Sequence, residues 1–392
     1  MKVFKRETLW LIAIYVAIVC AISLRCSVEA TNYVSFDSIL YLKLAENISA
    51  GKGIVAPQTY PFDETVTESY FAIWPVGYPL LIVFLGKITG LNFLIASKVV
   101  NLLFLGFIFI LLYLWFKKEA WFIALYFFSF SEMEVFSYTW SEGPFLFFVL
   151  FLCYLLTHLD TKYLVFKLVF CLISMFLLRY AGGIYFLFVG LYAIYHVYKG
   201  RKSKANILFL CIGIALLPCL WYLWNNYIQS GYFTGLVRFT PEEVSNWFTI
   251  KTSLVGVANE FLFASHYFVL KNNVTWVFCL FLTLQIIFYY VLWSKRSMII
   301  KPFFSPEAIL MMSMSFLYLF AAGVLQRLHA CSYFDYRILA PFSLPLFLTL
   351  FWSISKGKQE VFFVSTKKWV VGYMVLCYIV NLPKYYLINL LF

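Results

Sequence analysis

Long uninterrupted apolar runs recur along the whole chain, and short basic clusters stand between many of them. The runs are about 15–20 residues long and do not alternate with polar positions, which favours membrane-spanning helices over barrel strands. Backbone polar groups in lipid must be satisfied internally, so the predicted class is an all-α polytopic membrane protein. We predict about eleven spans, at 9–24, 97–116, 120–131, 143–158, 163–178, 181–198, 206–223, 275–293, 307–325, 338–353 and 369–383.

Two of the segments between apolar runs are long, 25–96 and 224–274, and both are predicted to lie on the same side of the membrane. The other loops are too short to form a soluble domain, so any chemistry is expected on that side. The chain is therefore predicted to be one transmembrane domain, 1–392, with two large outer loops. The third predicted span, 120–131, is short and is expected to be broken or tilted.

The first outer loop contains the stretch "SFDSILYLKLAENISAGKG", residues 35–53, whose apolar positions recur with helical spacing. Gly51 and Gly53 are predicted to end this helix, since glycine readily adopts the left-handed conformation that follows many helices. Asp37 lies near its beginning and is a candidate N-cap. Further on, the apolar stretch 78–91 is predicted to form a helix that lies at the membrane interface.

Composition agrees with this class, because 63% of the 392 residues are hydrophobic and only 12% are charged. A soluble domain carries roughly 25% charged residues. The net charge of +12 would suggest nucleic-acid binding in a soluble protein, but here the basic residues lie at the ends of spans. We therefore expect no nucleic-acid partner and assign the charge to orientation among membrane lipids.

The distribution of charge predicts a cytoplasmic N-terminus and a multi-pass location in the plasma (inner) membrane. More than half of the 30 basic residues then lie in short cytoplasmic loops, and most of the 18 acidic residues lie outside. The N-terminal run could also serve as a secretory signal, with cleavage after Ala30. We favour an uncleaved first span because the run is long. The basic residues that this orientation places in the cytoplasm are Lys2, Lys5, Arg6, Lys117, Lys118, Lys162, Lys199, Arg201, Lys202, Lys204, Lys295, Arg296, Lys301, Lys356, Lys358, Lys367 and Lys368.

Four charged residues are predicted to meet at the outer ends of spans: Asp37, Glu142, Arg179 and Arg337. A charge at bilayer depth costs at least about 2.5–3.5 kcal/mol, so charges this close to the core are usually paired or functional. Each also has a purely structural explanation. The arginines can extend to lipid headgroups, the glutamate is favoured at a helix N-terminus, and the aspartate can cap its helix.

The order of several motifs resembles the GT-C membrane glycosyltransferases, most closely the branch of protein O-mannosyltransferases and aminoarabinose transferases. The residues that match the first-loop pattern are Asp37, Tyr41, Leu42, Ala45, Asn47, Gly51, Gly53, Pro75, Gly77, Tyr78 and Pro79. The stretches "SEGPFLF", "LLRYAGGIYF", "PCLWYLWNNYIQSGYFTG" and "DYRILAPFSLPLF" are similar to later family segments. Val76 replaces a usual proline, and Asn225 stands where a basic residue is common.

The resemblance implies an inverting transfer of a sugar from a polyprenyl-phosphate donor to a glycan, lipid or protein acceptor outside the cytoplasm. Such a reaction needs a carboxylate base and a cation for the leaving phosphate. The predicted base is Asp37. The predicted phosphate ligands are Arg337 first, then Arg179 and Arg327. The predicted substrate-binding residues are Glu142, Tyr41 and Tyr78.

No cofactor is firmly implied, and no residue spacing supports a metal site. A divalent metal stays open only because His266 and His329 lie on the outer side and could join Glu142 or Asp335. Three other functions stay open. A polymerase or ligase of lipid-linked polysaccharide would also use outer arginines. A transporter would tend to show paired halves and charged midplane helices, and a membrane scaffold would need none of these motifs.

Overall fold

The computed structural model describes residues 6–57, 69–235, 246–264, 275–328, 334–356 and 361–382, and these residues are mostly helical. Three short 3-10 turns lie at Lys117–Glu119, Leu125–Phe128 and Tyr180–Gly182. The α-helices are, in chain order, α1 Arg6–Val28, α2 Phe36–Ser49, α3 Gly77–Thr89, α4 Phe93–Phe116, α5 Ala120–Ala124, α6 Phe130–Ser137, α7 Glu142–Thr157, α8 Leu164–Leu178, α9 Gly183–Tyr198, α10 Lys202–Ser230, α11 Asn246–Glu260, α12 Thr275–Ser294, α13 Arg296–Phe303, α14 Pro306–Leu328, α15 Tyr336–Lys356 and α16 Val361–Val380.

The predicted class, an all-α membrane-embedded protein, agrees with the lengths of these helices. Within the described residues, six helical segments are long and apolar enough to cross a membrane: Arg6–Val28, Phe93–Phe128, Tyr180–Tyr198, Lys202–Ser230, Pro306–Gln326 and Tyr336–Lys356. Apolar helices such as α7 and α8 are shorter than a typical span. The predicted count of about eleven spans is therefore not confirmed.

The segment predicted as the short third span is broken. A single turn of α-helix, α5, passes into the 3-10 turn Leu125–Phe128, and Ser129 is extended with ψ 155°. The chain then resumes as α6. The break places α6, which carries two glutamates, beside α1 and α15.

The core lies around α7 and α15, which contact each other and most neighbouring helices. Of the six candidate spans, α15 is the most enclosed: 78% of its apolar window is buried, against 28% for α10. Pro341 and Pro345 occur inside α15, and such prolines are tolerated in membrane helices whose neighbours and hydroxyl side chains satisfy the freed backbone groups. The N-terminal ends of α7 and α15 carry Glu142 and Arg337, two of the four charged residues of the candidate site.

The described part of the segment between α1 and α4 packs against the helices beside α7. The helix α2 ends before Gly51, which has φ 79°, and Asn47 donates to the Val55 carbonyl at 2.8 Å. Val55–Ala56 then pairs antiparallel with Ser69–Tyr70, with Val55 opposite Tyr70. The helix predicted at 78–91 is confirmed as α3. A Cβ on Gly77 would lie 2.5 Å from the Leu177 carbonyl oxygen, so only glycine lets α3 approach the end of α8 this closely.

Candidate active site

Asp37 lies in the first turn of α2, but it does not cap that helix. The N-cap is Ser35, whose hydroxyl accepts from the Ser38 backbone N–H, and Ser38 Oγ accepts from the Ser35 N–H in return. The proposed capping role of Asp37 is therefore wrong, because a reciprocal serine pair already satisfies the helix N-terminus. The Asp37 carboxylate instead forms an ion pair with Arg337, on the first turn of α15.

Glu142 joins two of the three predicted phosphate-binding arginines. It is the first residue of α7, and its side chain is 0% exposed. Arg337 Nε donates to Glu142 Oε1 at 2.5 Å, and Arg179 forms an ion pair with the same oxygen. Removing a carboxylate from water is costly unless it is paired, and two guanidinium groups provide that pairing. Asp37, Glu142, Arg179 and Arg337 thus form one continuous network whose formal charges cancel.

One oxygen of the Glu142 carboxylate takes no part in this network. Both arginines contact Oε1, whereas Oε2 is buried and has no hydrogen-bond partner among the described residues. A buried polar atom without a partner costs about 1–3 kcal/mol and usually marks a bound group or a functional role. A ligand with a hydroxyl or amide donor would satisfy this oxygen.

Aromatic rings surround the network. The guanidinium carbon of Arg337 lies 4.8 Å from the centre of the Trp140 ring, a cation–π distance. The two predicted substrate-binding tyrosines, Tyr41 and Tyr78, are 1% and 0% exposed, and their rings meet edge to face at 5.2 Å. Tyr41 Oη lies 3.3 Å from Ser141 Oγ. In the described structure both tyrosines are thus buried against each other, and contact with a substrate stays a prediction.

Hydrogen bonds between uncharged groups fix the turn that contains Arg179. Tyr180, the next residue, donates to the Ala72 carbonyl at 2.8 Å and accepts from Asn226 Nδ2 at 3.1 Å. Asn225, which stands where the resembled family often has a basic residue, donates to Tyr70 Oη at 3.0 Å. This asparagine therefore ties α10 to the small sheet.

Sequence reasoning missed a second buried ion pair beside the site. Arg25, in the last turn of α1, pairs with Glu134 on α6 and donates to Tyr33 Oη at 2.7 Å. The Tyr33 ring meets Tyr138 at 5.0 Å, and Tyr138 stacks on Trp140 at 4.0 Å, which connects this pair to Arg337. The argument applied to Arg179, a cation at the edge of an apolar run, would have found Arg25 as well.

A pair of buried acids lies near the network, and no sequence pattern indicated it. Glu132 on α6 and Glu260 at the end of α11 are both 1% exposed. Neither oxygen of Glu132 has a hydrogen-bond partner among the described residues. Burial raises the pKa of Glu260 to about 7, and hydrogen bonds from Ser343 and Ser131 partly oppose this rise. Burial, reinforced by the neighbouring Glu260, raises the pKa of Glu132 well above its ordinary value.

The remaining predicted residues lie outside what the structure describes. Arg327 is in the last turn of α14, and its side chain is outside the described residues, as are His266 and His329. Within the described ranges, no three His, Cys, Asp or Glu side chains lie close enough together to hold a metal ion. The proposed metal site with these histidines stays untested.

Comparison with known proteins gives no relative. No protein-family model, curated protein or solved structure matches this chain. The likeness to the membrane glycosyltransferases therefore rests on the motifs alone.

Proposed function

We propose that this protein is an inverting glycosyltransferase that uses a polyprenyl-phosphate-linked sugar donor at the end of the bundle where α7 and α15 begin. The observation that supports this best is the convergence of Asp37, Glu142, Arg179 and Arg337 from four distant segments. One carboxylate beside two guanidinium groups provides both the base and the phosphate ligands that the reaction requires.

In the proposed step, the acceptor hydroxyl oxygen attacks the anomeric carbon of the donor. The new glycosidic C–O bond forms as the bond between that carbon and the phosphate oxygen breaks, with inversion. The hydroxyl proton passes to the Asp37 carboxylate, and the electron pair of the broken bond leaves on the polyprenyl phosphate. Arg337 and Arg179 stabilise the charge that develops on this leaving group.

The ion pair between Asp37 and Arg337 suggests how donor binding and base activation are linked. Arg337 contacts both Asp37 and Glu142. A phosphate that binds Arg337 competes with Asp37 for the guanidinium group and weakens their pairing. Asp37 then becomes a better proton acceptor only when a donor is present, which would limit unproductive chemistry.

Glu142 is assigned two tasks in this proposal. Its Oε1 orients both arginines, and its partnerless Oε2 accepts a hydrogen bond from a sugar hydroxyl. Because this oxygen is buried, a donor sugar that lacks the corresponding hydroxyl would leave it unsatisfied. That difference gives the site a means of sugar selection.

The test compares two carboxylate-to-amide changes in the same helix, Asp37→Asn and Glu46→Gln. Cells that lack the gene are complemented with wild type or either variant, their envelope glycans are compared by mass spectrometry, and membrane abundance is measured by immunoblot. We expect Asp37→Asn to reproduce the glycan profile of the deletion at normal abundance. Glu46, whose side chain is 55% exposed, should tolerate the change.

Two results would contradict the proposal. Normal glycan transfer by Asp37→Asn would show that Asp37 is not the catalytic base. If the glycans of the deletion strain match those of the parent strain, the protein is not the proposed glycosyltransferase.

A further inference from the structure

A cavity of about 580 Å³ lies at the opposite end of the bundle from the candidate active site. Residues from the start of α1, the ends of α4, α7 and α15 and the start of α14 line it. From Arg337 to Lys356, α15 runs about 30 Å at 1.5 Å per residue, which is the thickness of a hydrocarbon core. The cavity is thus placed at the headgroup level of the other leaflet.

Both signs of charge line this cavity in equal number. Lys117, Lys118 and Lys356 provide three positive charges, and Glu7, Glu119 and Glu307 provide three negative ones. Lys356 and Glu119 neutralise each other, with Nζ and Oε1 3.4 Å apart. Among the described residues, no ion pair engages the other four charged side chains.

An apolar stripe on α4 leads directly to these lysines. Leu103, Phe107, Ile110 and Leu114 recur every three or four residues and are 43–57% exposed, so they form one outward helix face. Lys117, the C-cap of α4, follows Leu114 by three residues and lies at the end of this stripe. An acyl chain on the stripe would therefore bring its headgroup to the mouth of the cavity.

We propose that this cavity binds the headgroup of a zwitterionic aminophospholipid, independently of the proposed transferase function. The phosphate is held by Lys117 and Lys118, the primary ammonium donates to Glu7 and Glu307, and one acyl chain lies along the α4 stripe. A purely anionic headgroup would face the carboxylates without compensation. A quaternary ammonium has no N–H donors for them.

The volume and the aromatic lining fit such a ligand. Cavities that bind small molecules usually measure about 300–1,000 Å³. Trp115 and Trp352 line the cavity, and the Trp352 ring packs against Phe116 with centroids 5.6 Å apart. Tryptophan is enriched where protein meets lipid headgroups, and its ring face also attracts an ammonium group.

The experiment measures lipid retention by native mass spectrometry. Purified protein in mild detergent is incubated with equimolar dioleoyl phosphatidylethanolamine, phosphatidylcholine and phosphatidylglycerol. We expect phosphatidylethanolamine to be retained about tenfold more than either other lipid, the scale of a few charge-assisted hydrogen bonds. Stabilisation of the protein by each lipid, followed as its thermal unfolding midpoint, provides a second readout.

Two double variants test recognition of the phosphate and of the ammonium separately. Lys117→Gln/Lys118→Gln should lower retention of all three lipids, because each carries a phosphate. Glu7→Gln/Glu307→Gln should remove the preference for phosphatidylethanolamine over phosphatidylglycerol. Lys199→Gln/Lys202→Gln changes two exposed lysines that do not line the cavity and should leave retention unchanged.

The proposal is overturned if wild type retains phosphatidylglycerol or phosphatidylcholine as well as phosphatidylethanolamine. It is also overturned if the glutamate variant keeps the wild-type preference, or if the control pair lowers retention as much as the lysine pair of the cavity.

Discussion

Replacing Glu142 with glutamine tests whether this carboxylate holds the charged network together. The change keeps the size of the side chain and removes only its charge. Arg179 and Arg337 would then lie close together with Asp37 as the single counter-charge in the network. Two guanidinium groups that lose their shared buried partner repel each other and are poorly compensated.

The size of the effect follows from burial. Glu142 is 0% exposed and contacts two arginines. Breaking a buried ion pair costs about 3–5 kcal/mol, and we expect about 3 kcal/mol here because glutamine can still accept one hydrogen bond. Glu46 provides the control. It is 55% exposed and pairs only with Lys43 at 3.5 Å, and exposed pairs at this spacing contribute about 0.5 kcal/mol or less.

The assay is thermal unfolding of purified protein in detergent, followed by tryptophan fluorescence. Glu142→Gln should lower the midpoint by roughly 3–5 °C, whereas Glu46→Gln should change it by about 1 °C or less. Adding Arg179→Gln to Glu142→Gln should recover part of the loss, since it removes one uncompensated charge. Equal midpoints for Glu142→Gln and Glu46→Gln would refute the idea that Glu142 organises the site.

Two further predictions concern backbone packing and pH. Gly77→Ala should destabilise the protein by about 1–3 kcal/mol, because the new methyl group would collide with the Leu177 backbone. The matched change Gly213→Ala, where a Cβ meets open space, should be neutral or stabilising in the same unfolding assay. Stability should fall as pH rises from about 5 to 8, because the folded state binds protons at Glu260 and Glu132 that the unfolded state releases near pH 4.5. The rise of the Glu260 pKa to about 7 corresponds to roughly 3 kcal/mol, so Glu260→Gln should flatten the midpoint-against-pH curve. A midpoint that increases over this range would contradict the assignment.

The sequence alone determined the features that depend on neighbouring residues. Continuous apolar runs predicted a helical membrane-embedded protein, and the starts of α2, α7 and α15 follow the predicted positions within a few residues. These features are local, since hydropathy and helix spacing are set within a window of about twenty residues. Even at this level, Ser35 caps α2 in place of Asp37, because Ser35 and Ser38 form a reciprocal capping pair at the start of this helix.

The sequence predicted that four charged residues converge, but only the tertiary structure decided which of them pair. Asp37 and Arg337 are separated by 300 positions, and nothing local states that they pair or that Glu142 serves two arginines through one oxygen. The buried pair Glu132 and Glu260 was also invisible, because each glutamate alone looks like an ordinary outer-loop acid. Such partnerships depend on how α6, α7, α11 and α15 pack against one another. Helix packing is fixed by side-chain fit across the whole bundle, and no single segment of sequence carries that information.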